Sequence, residues 1–410
     1  MTKLSTKREV NALAYLCALV YFISYVSRIN LAAVMVEMVA SGFAPQTTAA
    51  LALTVCSVTY GAGQLISGYL GDKYKPENII FTGFLLTGAV NLTVGLLPVS
   101  TPLVVLWGIN GFAQALMWPP LVKVLVTHMD TDNYAASSVK VSYGGNIGSI
   151  VVYLAAPLVI SAFSFRGVFL LSGSLALGMA LLWKLVYDKK YAHRVSGVAM
   201  PSEKKEAIAP TARFTGGVIA LLSVVLLTVV LQGALRDGVA SWVPTYISDV
   251  FQLGSSVSIL TGAVLPVFSI LCIAGANLLY RKVIKNEMLC SAVIFAVGCV
   301  SAVLLSVFRS SNPLLSVLFL ALLSGSMHGV NLMLTCMVPP HFAKYGRTAL
   351  VSGGLNSCTH VGAALSTYGI ALFTESFGWD GTILLWAGIA LAGTLVCFLV
   401  SIPWRSFRTK

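Results

Sequence analysis

Long apolar stretches separated by short polar breaks fill most of the 410-residue chain. Most of the stretches are 20 residues or longer, which is the length that a helix needs to cross the hydrocarbon core of a bilayer. Helix is the structure that fits, because lipid offers the backbone no hydrogen-bond partner and the strands of membrane barrels are shorter. The pattern therefore predicts an all-α protein that crosses a membrane many times.

Twelve stretches can be counted, and each predicts one transmembrane helix. A hydrophilic segment at 188–214, rich in basic residues and proline, is interpreted as a solvated cytoplasmic linker. It divides the chain into six-helix halves at 1–187 and 215–410. The predicted spans are 11–40, 46–70, 78–98, 102–128, 134–163, 167–187, 215–246, 254–280, 287–308, 313–338, 347–374 and 379–403.

Composition narrows the class of protein further. The chain is 57% hydrophobic and only 10% charged, whereas soluble domains are about 25% charged. This excludes a soluble enzyme, a disordered protein and a nucleic-acid binder. The eight cysteines lie in apolar stretches without metal-like spacing and are interpreted as packing residues. We predict no catalytic residue, no metal and no cofactor, since no nucleotide loop, zinc helix or catalytic triad motif occurs.

The positions of the basic residues predict the orientation. Of 26 lysines and arginines, 21 lie at the termini or in or near the loops of one parity. Because cytoplasmic loops carry the excess of Lys and Arg, both termini are predicted to be cytoplasmic. The charged N-terminus has no small-residue cleavage site, so no signal peptide is predicted. Three further basic residues are assigned to the interior of spans: Arg28, Lys140 and Arg236.

The two halves repeat weakly. Arg28 in span 1 corresponds to Arg236 in span 7, and residues 146–148 in span 5 resemble residues 360–362 in span 11. Two six-helix halves with corresponding landmarks are typical of a transporter whose halves rock around a central site.

Arg28 is the first charge that needs an explanation, since a charged side chain at mid-bilayer costs roughly 2.5 kcal/mol or more. Tyr21, Tyr25 and Arg28 are spaced i, i+4, i+7 and therefore share one helix face. A cation with two phenols predicts a wet cavity that receives an anion. The alternative is a packing cation that donates to backbone carbonyls.

Arg236 is the second such charge. If Arg28 and Arg236 both face the cavity, their two guanidiniums bind phosphate or carboxylate bidentately at any relevant pH. Asp237 follows Arg236, but consecutive residues of an α-helix point about 100° apart, so the pair need not meet. Two unneutralised arginines favour a substrate with about two negative charges, a phosphate ester before a carboxylate.

Other polar residues in the spans are weaker candidates for substrate contacts. His328 and His360 suit donation to a phosphate or transfer of a proton, or else they are hydrogen-bonded interior histidines. Lys140 is close enough to the cytoplasm for its ammonium to reach water, and this reading is favoured over a substrate contact. Gln64, four residues after Tyr60, is equally a polar contact or a packing residue.

The segment Gly68-x-Leu70-x-Asp72-Lys73-x-Lys75 places an acid and two bases in a short cytoplasmic turn between spans 2 and 3. Such a turn can clamp helix ends and release them as the halves rock. Asp72 and Lys73 are therefore the predicted gating residues.

Together with the spans, the linker and this turn, five motifs make the chain resemble the major facilitator superfamily. More narrowly, it resembles the organophosphate:phosphate antiporters, the bacterial glycerol-3-phosphate and hexose-phosphate transporters. The motifs are Tyr-x3-Tyr-x2-Arg ending at Arg28, Tyr60-Gly61, residues 110–114 with Trp118-Pro119-Pro120, Arg236-x-Gly238-x3-Trp242-x-Pro244-Thr245-Tyr246, and Phe377-Gly378-Trp379-Asp380-Gly381.

The resemblance implies a fold and roles for these residues. The arginines of spans 1 and 7 would grip the phosphate, one from each half. Tyr21, Tyr25 and Tyr60 match family tyrosines, and Trp118 would lie near the cavity. It also implies a monomer in the bacterial inner membrane, surrounded by lipid bilayer. Its partners would be a phosphate ester and inorganic phosphate, without nucleic acid.

Several positions depart from the family pattern and put the usual substrates in doubt. Gln64 stands where a lysine is common, and Gly145, next to Asn146, stands where the family has a histidine. His328 and His360 replace tyrosines.

Three functions stay open on these grounds. The first is exchange of a small organophosphate for inorganic phosphate. The second is proton-coupled symport of an organic carboxylate such as a hexuronate, in which the histidines carry protons. The third is a transporter-like sensor of a sugar phosphate.

Overall fold

The computed structural model describes residues 3–4, 6–96, 100, 102–192, 214–252, 264–309 and 311–409. Within these ranges the secondary structure is helical, with no strand. The helices of the first part of the chain are α1 (Lys7–Ala40), α2 (Gln46–Lys73), α3 (Pro76–Leu96), α4 (Leu103–Ala115), α5 (Trp118–His128) and α6 (Thr131–Tyr187).

The second part contains six more α-helical runs and several irregular turns. The α-helices are α7 (Gly216–Gly233), α8 (Val239–Phe251), α9 (Val264–Lys282), α10 (Glu287–Phe308), α11 (Pro313–Asn331) and α12 (Thr348–Thr409). Turns of π-helix lie at Asp188–Ala192, Ala234–Gly238 and Leu332–Met337, and a 3₁₀ segment lies at Pro339–Tyr345.

Two of the helical runs are too long to cross a bilayer once. α6 has 57 residues and α12 has 62, so each would be roughly 85–95 Å long if it were straight, against about 30 Å of hydrocarbon. The backbone of α6 leaves the helical conformation at Ser164 (φ 61°), and that of α12 leaves it at Gly378 (φ 64°). Both breaks lie where the sequence places a loop between two spans.

Nine helices in the described ranges are long and apolar enough to cross a membrane. The count of twelve crossings and the cytoplasmic location of both termini stay predictions. Residues 193–213, most of the predicted linker, and residues 253–263, at the start of the eighth span, lie outside the described residues.

The chain forms two compact units. The first contains Met1–Ala212 together with Phe342–Gly354, and the second contains Arg213–His341 together with Leu355–Lys410. The assignment of Phe342–Gly354 to the first unit has a local cause, since the first turn of α12 is held by α2.

In the first unit, α1 packs along α6, α2 packs along α4, and α3 packs on both α4 and α6. Small residues allow α1 and α6 to approach closely. A Cβ at Gly148 would lie 2.7 Å from the carbonyl oxygen of Phe22, which is closer than real Cβ contacts allow. The same approach places the middle of α6 beside the tyrosines of α1.

In the second unit, α11 is central and packs on α8, α9 and α10. Glycines bring α7 and α12 together, because a Cβ at Gly233 would clash with the carbonyl of Thr359 and one at Gly362 with the carbonyl of Val230. Val230 precedes Arg236 by six residues, and Phe22 precedes Arg28 by the same number. The weak repeat between the halves therefore corresponds to equivalent helix contacts.

Candidate functional site

Arg28 lies against aromatic rings in the first unit. Its guanidinium carbon is 4.1 Å from the ring centre of Tyr25 and 4.6 Å from that of Tyr60. No acidic side chain in the described ranges pairs with it. Cation–π contacts hold the guanidinium without neutralising its charge, so Arg28 keeps a positive charge among the aromatic rings.

Two more aromatic residues complete this group. The Tyr21 ring centre is 5.0 Å from that of Tyr25 and 5.0 Å from that of Trp118. Trp118 is 4% exposed, and its indole Nε1 has no hydrogen-bond partner in the described part of the chain. The structure therefore brings together five of the predicted residues, which we call the Arg28 cluster: Tyr21, Tyr25, Arg28, Tyr60 and Trp118.

Helix ends explain how Trp118 reaches this position. α4 ends at Ala115 and α5 begins at Trp118, with prolines in its first turn. Proline is tolerated there, because the first N–H groups of a helix have no partner within it. The interruption places the indole next to Tyr21.

Buried hydrogen bonds from α3 and α4 hold α1 in position. The Asn110 amide donates to the carbonyl of Ser27 at 3.1 Å, and the Asn91 amide donates to the same carbonyl at 3.3 Å. The Ser24 hydroxyl donates to Gln114 at 2.5 Å. Asn110 and Gln114 belong to a motif that the sequence highlights, and the structure shows that they fix α1 rather than contact the Arg28 cluster.

Gly145 leaves the space that the tyrosine rings occupy. A Cβ at this position would lie 2.9 Å from the ring of Tyr25 and 3.0 Å from the ring of Tyr21. The family resemblance places a histidine near this position. Its replacement by glycine gives room for two phenols to pack on α6.

Three other predicted residues of the first unit have hydrogen bonds to groups outside this cluster. Gln64 is fully buried and donates to the carbonyl of Ala115 at 3.5 Å, a packing contact between α2 and α4. Asn146 donates to the carbonyl one turn earlier in its own helix. Lys140 donates to Asn11 at 2.6 Å near the start of α1.

In the second unit, Arg236 has an acidic partner. Its Nε and Nη2 each donate to a carboxylate oxygen of Asp237 at 2.7 Å, and its Nη1 donates to the Asn331 amide oxygen at 3.2 Å. The expectation of two unneutralised arginines is therefore wrong for Arg236. The two residues lie in the π-helical turn Ala234–Gly238, where the long arginine side chain folds back onto its neighbour.

The two predicted histidines lie near this ion pair. His328 of α11 and His360 of α12 both interact electrostatically with the Asp237 carboxylate. Ser324 of α11 donates to the carbonyl of Arg236 at 3.0 Å. We call this group the Arg236 cluster: Arg236, Asp237, His328, Asn331 and His360.

Asp72 lies at the start of α12. Its carboxylate accepts hydrogen bonds from the backbone N–H groups of Ala349 (3.0 Å) and Leu350 (2.8 Å), and it pairs with Lys123 at 3.1 Å. An anion is stabilised at a helix N-terminus, because unpaired N–H groups point towards it. Gly68 permits this approach, since a Cβ there would lie 2.5 Å from the carbonyl oxygen of Ala349.

Lys73, the other predicted gating residue, is exposed and contacts the rings of Tyr69 and Tyr74. The structure does not bring it to the start of α12. Lys123, which the sequence analysis missed, is the basic partner of Asp72 instead. In the sequence, Lys123 stands five residues after Trp118, and no motif marks it as a partner of Asp72.

Comparison with known proteins identifies the family. The family model of the Major Facilitator Superfamily matches residues 17–338, well over half of the chain. The chain belongs to the Major Facilitator Superfamily. A crystal structure of the superfamily transporter FucP in the outward conformation shares the fold, with a TM-score of 0.71, 14% sequence identity, and coverage of 97% of this chain and 98% of that one. The protein is therefore a multi-pass membrane protein with the fold of this superfamily.

Relatives within the superfamily match shorter stretches. A probable hexose phosphate transport protein of Chlamydia muridarum is 29% identical over 126 residues, 30% of this chain and 27% of the relative. The membrane sensor protein UhpC of Salmonella typhimurium is 25% identical over 167 residues, 40% of this chain and 38% of the relative. The chain thus matches well under half of the length of either relative.

Proposed function

We propose that this superfamily transporter exchanges a small organophosphate, of the sugar phosphate or glycerol-3-phosphate type, for inorganic phosphate by alternating access. The observation that carries the proposal is the Arg28 cluster. It contains a guanidinium without an acidic partner in the described residues, three phenols and a buried indole N–H without a partner. The similarity to a probable hexose phosphate transport protein supports the phosphate ester as substrate.

The chemistry of the cluster suits a phosphate group. The planar guanidinium of Arg28 donates two parallel hydrogen bonds to a tetrahedral oxyanion. The Trp118 indole is a donor only, so a buried anion satisfies it without competition. An unsatisfied buried donor costs about 1–3 kcal/mol, and a bound phosphate oxygen removes that cost. No covalent bond changes in such a transport cycle.

Exchange follows from the cost of dehydrating a charge. When no anion is bound to Arg28, reorientation of the carrier removes water from a guanidinium that has no counter-charge. Removing water from such a charge has a high free-energy cost in a membrane protein. A bound anion neutralises the cation and lowers this cost, so the loaded carrier reorients faster than the empty one. Uptake of one anion then depends on the exit of another.

The experiment uses purified protein in liposomes that are preloaded with inorganic phosphate. Uptake of labelled external phosphate is followed with and without internal phosphate, and unlabelled phosphate esters are added as competitors. We expect uptake that requires internal phosphate and is inhibited by particular esters. A folded protein that shows no exchange at any pH contradicts the proposal.

A second candidate is proton-coupled symport of an organic carboxylate. The position of His328 and His360 near Asp237 favours it, because an imidazole and a carboxylate can each carry a proton. Uptake that depends on a pH gradient, and loses this dependence in His328→Gln or His360→Gln, would support symport. Binding of a sugar phosphate without turnover would instead support a sensor, in line with the similarity to UhpC.

A further inference from the structure

The guanidinium of Arg236 already holds a carboxylate. Its Nε and Nη2 donate to the two oxygens of Asp237, both at 2.7 Å, and its Nη1 donates to Asn331. This two-pronged geometry is the one by which arginine binds a phosphate or carboxylate group of a ligand. An anion that reaches this edge of Arg236 has to displace Asp237.

The two arginines that correspond in the sequence therefore differ in charge state. The Arg28 cluster carries an unpaired positive charge, whereas Arg236 and Asp237 together carry none. Asp237 is not locked into the protein interior, since its side chain is 37% exposed while that of Arg236 is 13% exposed. A carboxylate that is partly exposed has room to turn away from the arginine.

We propose that Asp237 is a specificity-determining residue that competes with the transported anion for Arg236 and yields when it takes up a proton. The inference rests on the transport function proposed above. The proton comes from water, forms an O–H bond with a carboxylate oxygen of Asp237, and returns to water when the anion leaves and the ion pair forms again. An anion bound to Arg236 is thus accompanied by one proton.

Other groups near Asp237 could take up the proton in its place. Arg236 lies in the same turn, and His328 of α11 and His360 of α12 are the two histidines close enough to interact electrostatically with the carboxylate. Asn331 and Ser324 are neutral neighbours of Arg236. Either histidine is the rival carrier of the proton, so each needs its own variant in the test.

The proposal has a consequence for the form of the substrate. Phosphate monoesters lose their second proton with a pKa of about 6, so both the monoanion and the dianion are present near neutral pH. With Asp237 ionised, the pair of Arg236 and Asp237 offers no net positive charge to the anion. The protein is expected to prefer the monoanion, or to bind the dianion together with a proton.

The test measures equilibrium binding of labelled inorganic phosphate to purified full-length protein in lipid nanodiscs, at mildly acidic and mildly alkaline pH. The variants are Asp237→Asn, which removes the competing charge, and Asp237→Glu, which keeps it. Asp249→Asn is the matched control, because it removes the same charge from α8, where Asp249 accepts a hydrogen bond from Trp379. All proteins see the same mixture of phosphate forms at each pH, so differences between them report on the protein.

We expect wild type to bind phosphate more tightly at acidic pH. Asp237→Asn should bind at least about tenfold more tightly than wild type at alkaline pH, within the usual range of coupling between two sites, and should lose most of the pH dependence. Asp237→Glu and Asp249→Asn should retain the wild-type profile.

Three results would overturn the inference. The first is a wild-type pH profile in Asp237→Asn. The second is loss of binding in an Asp237→Asn variant that elutes as a single folded species, since Asp237 would then hold Arg236 in position. The third is a pH dependence that survives in Asp237→Asn and disappears in His328→Gln or His360→Gln. A wild-type protein that binds neither phosphate nor a phosphate ester at any pH contradicts the proposed function, and the inference fails with it.

Discussion

The carboxylate of Glu287 accepts a 2.8 Å hydrogen bond from the indole Nε1 of Trp404, 117 residues later in the chain. The Glu287 side chain is fully buried and has three further donors: Tyr280 at 2.7 Å, His341 at 3.0 Å and Arg408 at 3.1 Å. One acid thereby joins the ends of α9 and α10, the segment after α11, and the last turns of α12.

This arrangement predicts a large loss of stability in Glu287→Gln. The amide replaces two charged acceptor oxygens by one neutral acceptor, and it leaves Arg408, whose side chain is 28% exposed, without its counter-charge. Breaking a fully buried ion pair costs about 3–5 kcal/mol, and the exposure of Arg408 to solvent places this pair at the lower end of that range. The unfolding temperature in detergent, followed by fluorescence, should fall clearly below that of wild type. Glu375→Gln, an exposed position in the same unit, should unfold as wild type does, and equal stability of the two variants contradicts the prediction.

Arg28→Lys should lose most exchange activity. Lysine keeps the positive charge but not the planar fork that binds a phosphate with two parallel bonds. Loss of one charge-assisted hydrogen bond, about 1.5–3 kcal/mol, corresponds to at least a tenfold decrease in the rate at low substrate concentration. The measurement is phosphate exchange in liposomes, with Arg8→Lys as control because Arg8 is exposed on the same helix.

Arg236→Lys should also lose most exchange, for the same geometric reason. A lysine releases the two-pronged contact with Asp237 and cannot offer it to the substrate. Near-normal exchange by both lysine variants would exclude a role for the two guanidiniums in binding phosphate.

Gly145→Ala should impair transport without unfolding the protein. The added methyl group meets the rings of Tyr21 and Tyr25 and must displace them from α6. The apparent affinity for phosphate is expected to fall severalfold in the exchange assay, because the phenols beside Arg28 move. Gly178→Ala lies in the same helix with no atom within 4 Å of the new Cβ, so it should bind phosphate as wild type does. Equal effects of both alanines would mean that helix propensity, and not the tyrosines, is responsible.

Asp72→Asn should loosen the first turn of α12. The neutral amide is a weaker acceptor for the N–H groups of Ala349 and Leu350, and the charge at the helix N-terminus, about 0.3–2 kcal/mol, is lost. Hydrogen–deuterium exchange of a peptide covering 342–354 should become faster. Lys73→Ala should leave this exchange unchanged, since Lys73 is exposed and contacts other rings. Faster hydrogen–deuterium exchange of this peptide in Lys73→Ala would show that Lys73 also holds the first turn of α12.

The parts of the site that the sequence predicts well depend on local geometry. Tyr21, Tyr25 and Arg28 share a face because helical periodicity places them there, and the structure agrees. Tyr60 and Trp118 join them through tertiary packing, which only the family resemblance anticipated. The pairing of Asp237 with Arg236 was left open because consecutive residues of a regular α-helix point about 100° apart, whereas in the π-helical turn the long arginine side chain reaches its neighbour.

Residues whose partners are far away in the chain could not be found in this way. Lys123 pairs with Asp72 because α5 packs beside the end of α2. Glu287 meets Trp404 and Arg408 because the end of α12 packs against the start of α10. A single sequence shows an acid at the start of an apolar stretch, as at Glu287, but not the indole and the guanidinium that surround it. The spacing of residues in the sequence shows which side chains share one face of a helix. Which residues of two different helices meet is known only from the fold.

The carbonyl of Ser27 accepts hydrogen bonds from the side-chain amides of Asn91 in α3 and Asn110 in α4. These two bonds prevent α1 from rotating about its own axis. A turn of α1 by a single residue would break both bonds and move Arg28 away from Tyr60. The charge that we propose to receive the anion is therefore held in place within its unit by α3 and α4, and not by the aromatic side chains around it. Descendants of such a chain can change what they carry by replacing those surrounding side chains while the arginine and its anchor stay as they are.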